Sequence, residues 1–555
     1  MSDQYEQYEA IVVGAGPGGA AAAAKLADEG IETLVLERGV KAGAKNVSGG
    51  LLYAEDSAPY AIDNLYPQIR LEATERPITE YYIQNVAGST VKEYDLTRLH
   101  EHDTRWSDAV LRRKMDSWLA ERVHERTRET GGGLLSGIKV NGLLREDGEI
   151  VGVTCDEIDP IRAEFIVAAD GVNSELARDA GLMNWEDPEQ WFQGVKATVE
   201  APNVNDRFDI GPQEGVAHLF SGDLFDGVRG GGFCYTNVDT LSIGAVFHLD
   251  SLVESAAEPH ELLNALLEHP VCSQWIDDPY REVEYAAKLV PDSKKVAHPD
   301  PQSDRLVLVG DAAGQMQAQG PIIKGMNHAV TAGALAGEAF AGAKRRGEPE
   351  SAGERYVERL YESGTMAKLR PKRYERVRPI AERERATEVV DRLLESPIGR
   401  FGVRALDATG LLKRLYSSPF MSMSIPDTQT PYVTLPTVIA ETLGEPVSDD
   451  TTVDPPSLEQ RIGELTYDTD IGNPHIELLD NSVEASGAAV TACPVSASEF
   501  GGGCYREETI ASNGSTKDVV SLDTQPCIEC GTCAVVADTA WEHPSGGRGV
   551  EFRQG

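Results

Sequence analysis

The segment Glu9-Ala-Ile-Val-Val13, Gly14-Ala-Gly16-Pro-Gly18-Gly19, an alanine-rich stretch to Leu26, then Thr33-Leu-Val-Leu36-Glu37 constrains this chain more than any other. An apolar run, a glycine turn, a helix-forming stretch and a second apolar run fit in about thirty residues, the length of one strand–helix–strand unit. Such a unit needs a parallel sheet with helices packed on it. The glycine spacing by itself is weak in a chain with 54 glycines; its place between strand and helix gives it weight. Gly14 permits the tight turn, Gly16 lets a pyrophosphate approach the backbone, and Gly19 lets helix and strand pack closely, with Gly18 beside it. The helix N-terminus then offers N–H groups and positive potential to phosphate. Glu37, followed by Arg38, closes the second strand where a carboxylate meets ribose hydroxyls and disfavours a 2′-phosphate.

Two later turns identify the dinucleotide. The apolar run Phe165-Ile-Val-Ala-Ala ends in Asp170-Gly171, and Arg305-Leu-Val-Leu-Val ends in Gly310-Asp311 ahead of a Gly/Ala helix. An aspartate at the second place can accept a ribitol hydroxyl, and the helix after it faces a flavin pyrophosphate. Three such turns in this order point to FAD. No second G-x-G-x-x-G is present, so no separate NAD(P)H domain is expected.

The expected architecture is α/β. A Rossmann-like FAD-binding domain of the glutathione-reductase/hydroxylase kind covers 1–188 and returns at 296–349. An inserted, mostly antiparallel substrate sheet covers 189–295, with a helical piece at 259–268. Residues 350–456 are read as a helical region and linker, and 457–555 as a ferredoxin-like module. The 555 residues carry 51 Lys+Arg against 90 Asp+Glu, a formal charge of −39. That balance excludes a nucleic-acid binder, which needs a basic face. With 41% apolar residues the chain is not disordered either. Arginine outnumbers lysine about two to one, and the acids are dispersed; such a surface stays hydrated at high salt, so a halophilic cytoplasm is expected. The N-terminus lacks a signal-peptide pattern and no run of 18 apolar residues occurs, which leaves peripheral attachment to the inner face of the cell membrane.

The C-terminal module carries the second strong signal. Cys527-Ile-Glu-Cys530-Gly-Thr-Cys533 is a C-x-x-C-x-x-C run, whose thiolates can wrap one face of an iron–sulfur cubane. Paired C-x-x-C knuckles, which a zinc ribbon would use, are missing. The fourth ligand is Cys493, followed by Pro494, with Cys504 as its competitor. Cys155, Cys234 and Cys272 read as ordinary buried thiols.

These residues carry a resemblance. Together with Gly43-Ala-Lys-Asn-Val, Val110-Leu-Arg-Arg-Lys-Met-Asp116, the GGGFCYTN stretch from Gly230, EYAAKLVP from Glu284, and IKGMNHAVTAGALAGEAF from Ile323, the first 440 residues resemble the FAD subunit of the Fix system, close to electron-transfer-flavoprotein:quinone oxidoreductase. The tail resembles the Fix ferredoxin-like subunit, so the chain is similar to a fusion of the two. Two departures stand out: SASEFGGG intervenes between Cys493-Pro-Val and Cys504, and Arg229 precedes the glycines. The resemblance implies that Arg112 reaches the flavin cofactor, that Ser48, Gly49 and Gly50 lie near the isoalloxazine, and that Gly230 and Gly231 face a quinone carbonyl. It also implies electron-transfer flavoprotein as donor and a membrane quinone as acceptor; the residues themselves offer no Ser-His-Asp arrangement, metal-hydrolase helix or acid pair, so no catalytic residue of the chain's own is expected. The segment Leu411-Leu412, Leu415-Tyr416 and Pro419-Phe420-Met421 is a candidate membrane contact. Two rival functions stay open: a ferredoxin-fused prenyl reductase of the geranylgeranyl reductase type, and the quinone arm of an electron-bifurcating complex. The strand Gly232-Phe-Cys-Tyr-Thr-Asn237 lacks the Tyr-x-Trp-x-Phe-Pro pattern of the prenyl reductases.

Overall fold

The structure, a computed structural model, describes residues 5–47, 50–54, 60–97, 106–183, 187–319, 322–370, 396–411, 435–447, 453–468, 476–496, 503–512, 515–537, 541–542 and 549–555. In chain order the first half supplies β1 (Gln7–Val13), α1 (Pro17–Asp28), β2 (Thr33–Glu37), β3 (Glu80–Ala87), β4 (Thr90–Asp95), α2 (Arg112–Glu129), β5 (Gly133–Ser136), β6 (Val140–Glu146), β7 (Glu149–Cys155) and β8 (Ile161–Ala168). The inserted region adds β9 (Trp191–Glu200), β10 (Val216–Gly222), β11 (Gly230–Thr236), β12 (Thr240–His248), α3 (Pro259–Glu268) and β13 (Glu282–Pro291). Then follow β14 (Leu306–Leu308), α4 (Met326–Arg345), α5 (Ala352–Glu362) and α6 (Pro397–Ala408). The tail contributes α7 (Val483–Ala492), β15 (Tyr505–Ser512), β16 (Ser515–Leu522) and α8 (Cys533–Val536).

β14, β8, β1, β2 and β5 lie side by side in that order, every pair parallel. Their residues are apolar on both faces, as a sheet covered on both sides requires. The hairpin β6–β7 extends this sheet from β8 through the turn Asp147-Gly148, where both residues adopt positive φ. α1 and α4 cross on one side of the sheet at very close range. A Cβ on Gly333 would lie 2.0 Å from the Gly18 carbonyl oxygen, and one on Gly18 would lie 2.9 Å from Val309 Cγ1. Alanines at 20–24 and 332–343 fill the rest of that contact, so only small residues fit.

The second sheet runs β13-β9-β12-β11-β10-β3-β4, ending on Glu445–Pro446. It is antiparallel except for the β10–β3 pair. Strands β3 and β4 precede the expected insertion, yet they pair into its sheet, because Ile83 and Tyr94 join the apolar face shared with Leu219 and Phe233. The tail packs onto this sheet too: Cys493, Tyr505, Ile528 and Phe552 belong to the same apolar cluster as Trp191, Tyr285 and Leu289. Among the described residues no helix is long and apolar enough to cross a membrane.

Candidate functional site

Gly14, Gly16, Gly18 and Gly19 sit where the first sheet meets α1. Gly14 has φ +95°, and a Cβ on Gly19 would stand 1.9 Å from the Gly14 carbonyl oxygen, so the turn closes only on glycine. Pro17 opens α1 and no side chain caps it, which keeps its first N–H groups available to an anion. Gly18 faces the α4 crossing. Glu37 is buried, and its carboxylate accepts N–H groups from Ala15 (2.9 Å) and Gly39 (2.7 Å). Burial pushes its pKa up against those two hydrogen bonds.

Arg112 opens α2 and is buried beside the same turn: its Nη2 lies 3.4 Å from the position of a Gly16 Cβ. Asp116 one turn on holds the guanidinium, with Nη2 at 2.6 Å, and also accepts from Asn46 (3.0 Å). Burial works against the Arg112 charge, but Asp116, with Asp311 and Glu37, outweighs it and holds the pKa above its usual value. Gly310 and Gly314 both take positive φ around the short turn Gly310–Ala313. That turn carries Asp311, whose carboxyl burial pushes up against the pull of Arg112 and Lys288. Asp170 accepts the Ser174 hydroxyl at 2.7 Å, Gly171 has φ +82°, and burial raises the Asp170 pKa to about 6. Gly50, with φ +101°, faces Ser242 and Tyr235 of the second sheet. Ser48 and Gly49 lie outside the described residues.

One face of the second sheet turns toward these residues, since Gly50 meets Ser242 and Tyr235 and Arg112 acts on Lys196. Ser242 and Gly244 on β12 pair with Thr198 and Lys196 on β9, which pair with Glu284 and Ala286 on β13. Lys196 is buried with a pKa lowered by burial to about 8, while Glu284 pulls it back up. Phe233 and Tyr235 of β11 stack at 4.8 Å on the same side. Gly230 and Gly231 begin β11, and a Cβ on Gly230 would be 2.7 Å from the Val246 carbonyl oxygen. Arg229, just before them, pairs with Asp250.

The five tail cysteines are all buried, none in a disulfide. Cys493 ends α7, Cys504 precedes β15, Cys533 opens α8, and Cys527 and Cys530 lie in the loop before it. Cys504 hydrogen-bonds Cys493 and Cys527; Cys493 also acts electrostatically on Cys530 and Cys533. Burial pushes Cys504, Cys530 and Cys533 up, Cys530 to about 12. Burial raises Cys234 and Cys272 in the same way, so what sets the tail cysteines apart is that they crowd together. Among the described residues, no three cysteine sulfurs lie within 4.8 Å of one another. A mononuclear tetrahedral zinc, with Zn–S of about 2.3 Å, would draw its sulfurs to about 3.8 Å, whereas a cubane holds them farther apart.

This cysteine loop docks on the dinucleotide-binding half. Glu529, between Cys527 and Cys530, receives Arg38 Nη1 at 2.7 Å, and its carbonyl accepts Asn173 Nδ2 (3.0 Å) and Lys288 Nζ (2.9 Å). Leu289 N–H donates to the Cys530 carbonyl at 2.8 Å, the Tyr285 hydroxyl to the Pro494 carbonyl at 2.8 Å, and Thr532 to Gln193. The last residues stitch the same two parts together: Phe552 N–H donates to Ala44 O, and Lys45 Nζ to Val550 O, both at 2.7 Å. Arg38 thus belongs to the contact between the two parts as well as to the end of β2. Asn173, Gln193, Lys196 and Lys288 were not singled out by motif reading; only Lys288 stood inside a segment marked by the resemblance.

Two family models match: an FAD binding domain over residues 123–359 and an NAD(P)-binding Rossmann-like domain over 12–54. Among curated relatives, protein FixC of Salmonella typhi is 37% identical over 369 residues, 65% of this chain and 83% of its own. The probable electron transfer flavoprotein-quinone oxidoreductase YdiS of Escherichia coli K12 is 34% identical over 352 residues, 63% of this chain and 79% of its own. Among solved structures, a geranylgeranyl bacteriochlorophyll reductase-like protein of Thermoplasma acidophilum shares the fold, with TM-score 0.53 and 19% identity over 66% of this chain and 85% of that one.

Proposed function

Because the chain belongs to the FixC family of FAD-binding oxidoreductases, we propose that it is an electron-transfer-flavoprotein:quinone oxidoreductase with a fused ferredoxin-like module, taking electrons from reduced electron-transfer flavoprotein at a [4Fe-4S] cluster and delivering them from FAD to a membrane quinone. The observation that carries this reading is the docking of the Cys527–Cys533 loop on Arg38 and Asn173 of the dinucleotide-binding half. It joins a thiol pocket and a flavin cleft in one packed body. Cys493, Cys527, Cys530 and Cys533 would hold the cluster, with Cys504 buried alongside. The glycine turn, Glu37, Arg112 and Asp311 would hold FAD, with the face of β9, β12 and β13 that carries Lys196 beside it. When bound, the two groups supply one-electron transfer and its conversion to two-electron chemistry.

The chain's own residues position and tune. Arg112 brings positive charge to the glycine turn, where pyrophosphate charge needs it. Phe233 and Tyr235 pack in an apolar cluster on the strand that Gly230 and Gly231 begin, an environment that would suit a flat quinone ring. A lipid-soluble acceptor is met at the membrane surface, and α6 supports this: Ile398 is 82% and Phe401 74% exposed, with Arg400 and Arg404 on the same helix. Leu411 is also exposed, while 412–421, the rest of the candidate contact, lies outside the described residues. The test is a steady-state assay with enzymatically reduced electron-transfer flavoprotein and a short-chain quinone. Quinone turnover supports the reading; saturation of a prenyl chain without quinone turnover overturns it.

A further inference from the structure

Lys288 stands between the two halves of the site. It lies on β13 opposite Gly194, on the face that continues through Lys196 and Gly244 across the floor of the flavin cleft. Its Nζ reaches out of that floor to the Glu529 carbonyl oxygen at 2.9 Å, inside the C-x-x-C-x-x-C run. Its charge acts on Cys527 and Cys530 on one side and on Asp311 of the flavin cleft on the other. Arg38 and Glu529, which also face it, are already spent on each other as an ion pair. The Lys288 hydrogen bond goes to a neutral carbonyl; burial and then Arg38 work against its charge, while Glu529, Cys530 and Cys527 favour it. Lys288 is half-buried on its strand, so solvent screens its charge only in part. Each reduction adds negative charge to a centre, and a cation at this place favours the reduced form of either one.

We propose that Lys288 is a positioning residue shared by both redox centres, pinning the cysteine loop to the flavin-cleft floor while its ammonium raises the reduction potential of the cluster and, more weakly, of the flavin. This rests on the cluster reading given under Proposed function. The test is an anaerobic redox titration of the whole protein, following the cluster by EPR and the flavin by absorbance, in Lys288→Met, Lys288→Gln and Lys288→Arg. Removing the charge is expected to shift the cluster's one-electron equilibrium toward the oxidised form about tenfold, about 59 mV, in both neutral variants. The arginine variant stays within about twofold of the parent. If Lys288→Met is purified without iron, Lys288→Gln, which keeps a donor for the Glu529 carbonyl, is read in its place, and the flavin potential of Lys288→Met must still fall. Unmoved potentials in both neutral variants overturn the proposal, as does an arginine variant shifted as far as methionine. A parent protein without iron overturns the cluster reading itself, whereas a parent cluster with unmoved variants removes only the role of Lys288.

Discussion

Replacing Glu529 by glutamine tests whether the cysteine loop is held by the dinucleotide-binding half. The carboxylate is 5% exposed and takes Arg38 Nη1 at 2.7 Å, with Arg38 26% exposed. A charge-assisted hydrogen bond of this kind contributes about 1.5–3 kcal/mol. Partial solvation of Arg38 reduces that, as does the presence of Glu175 and Glu37, which also favour its charge. The net loss is therefore about 1–2 kcal/mol, and the amide retains the shape and the backbone contacts to Asn173 and Lys288. That loss raises the open population of the loop about 5–30-fold. The assay is the rate at which a strong chelator removes iron from anaerobic protein at low chelator occupancy, where release follows loop opening. Acceleration in that range, with FAD content unchanged, is expected. A rate equal to the parent's would refute the idea that this ion pair anchors the loop.

Gly19→Ala forces a Cβ to 1.9 Å from the Gly14 carbonyl oxygen, so FAD binding measured by flavin fluorescence should weaken on the order of a hundredfold. Cys493→Ser should abolish iron binding while Cys504→Ser retains it, since Cys493 acts on both Cys530 and Cys533; iron analysis showing the reverse would exchange the two roles. Ile398→Ser with Phe401→Ser removes two large exposed apolar side chains from α6, and flotation with liposomes should show binding weakened on the order of a hundredfold. Burial raises the Asp170 carboxyl to about 6, so its contribution to stability is full below the usual aspartate value of about 3.9 and lost as pH rises through 6. Asp170→Asn should therefore stabilise the flavin-free protein above pH 6 and flatten its melting temperature between pH 4 and 6; an unchanged pH profile would contradict this.

The parts of the site written in short, local patterns were legible in the sequence. The Gly14–Gly19 turn needs positive φ and a missing Cβ within a few residues, and the Cys527–Cys533 run needs fixed spacing in one loop, so both appear as motifs. The Asp147-Gly148 turn of the β6–β7 hairpin is of the same local kind. What stayed hidden depends on pairing between distant segments. β3 and β4 join the second sheet through register with β10, a contact across more than a hundred residues that no local pattern encodes. Arg38 meeting Glu529, and Lys288 meeting the carbonyl of the same residue, are equally non-local. Lys196, buried, and Lys288, half-buried, look like surface residues in a chain so rich in charge. Their places inside strand-like runs, Lys196 between Val195 and Ala197 and Lys288 between Ala287 and Leu289, were a hint.

The claim on which the functional account turns is that one chain holds both an iron–sulfur cubane and FAD. It is tested most directly by iron, sulfide and flavin analysis of anaerobically purified protein, together with EPR after reduction. The account predicts four irons, four sulfides and one FAD per chain, and a reduced-cluster signal that disappears in Cys493→Ser. Colourless, iron-free protein that still reduces quinone at full rate with electron-transfer flavoprotein would contradict it.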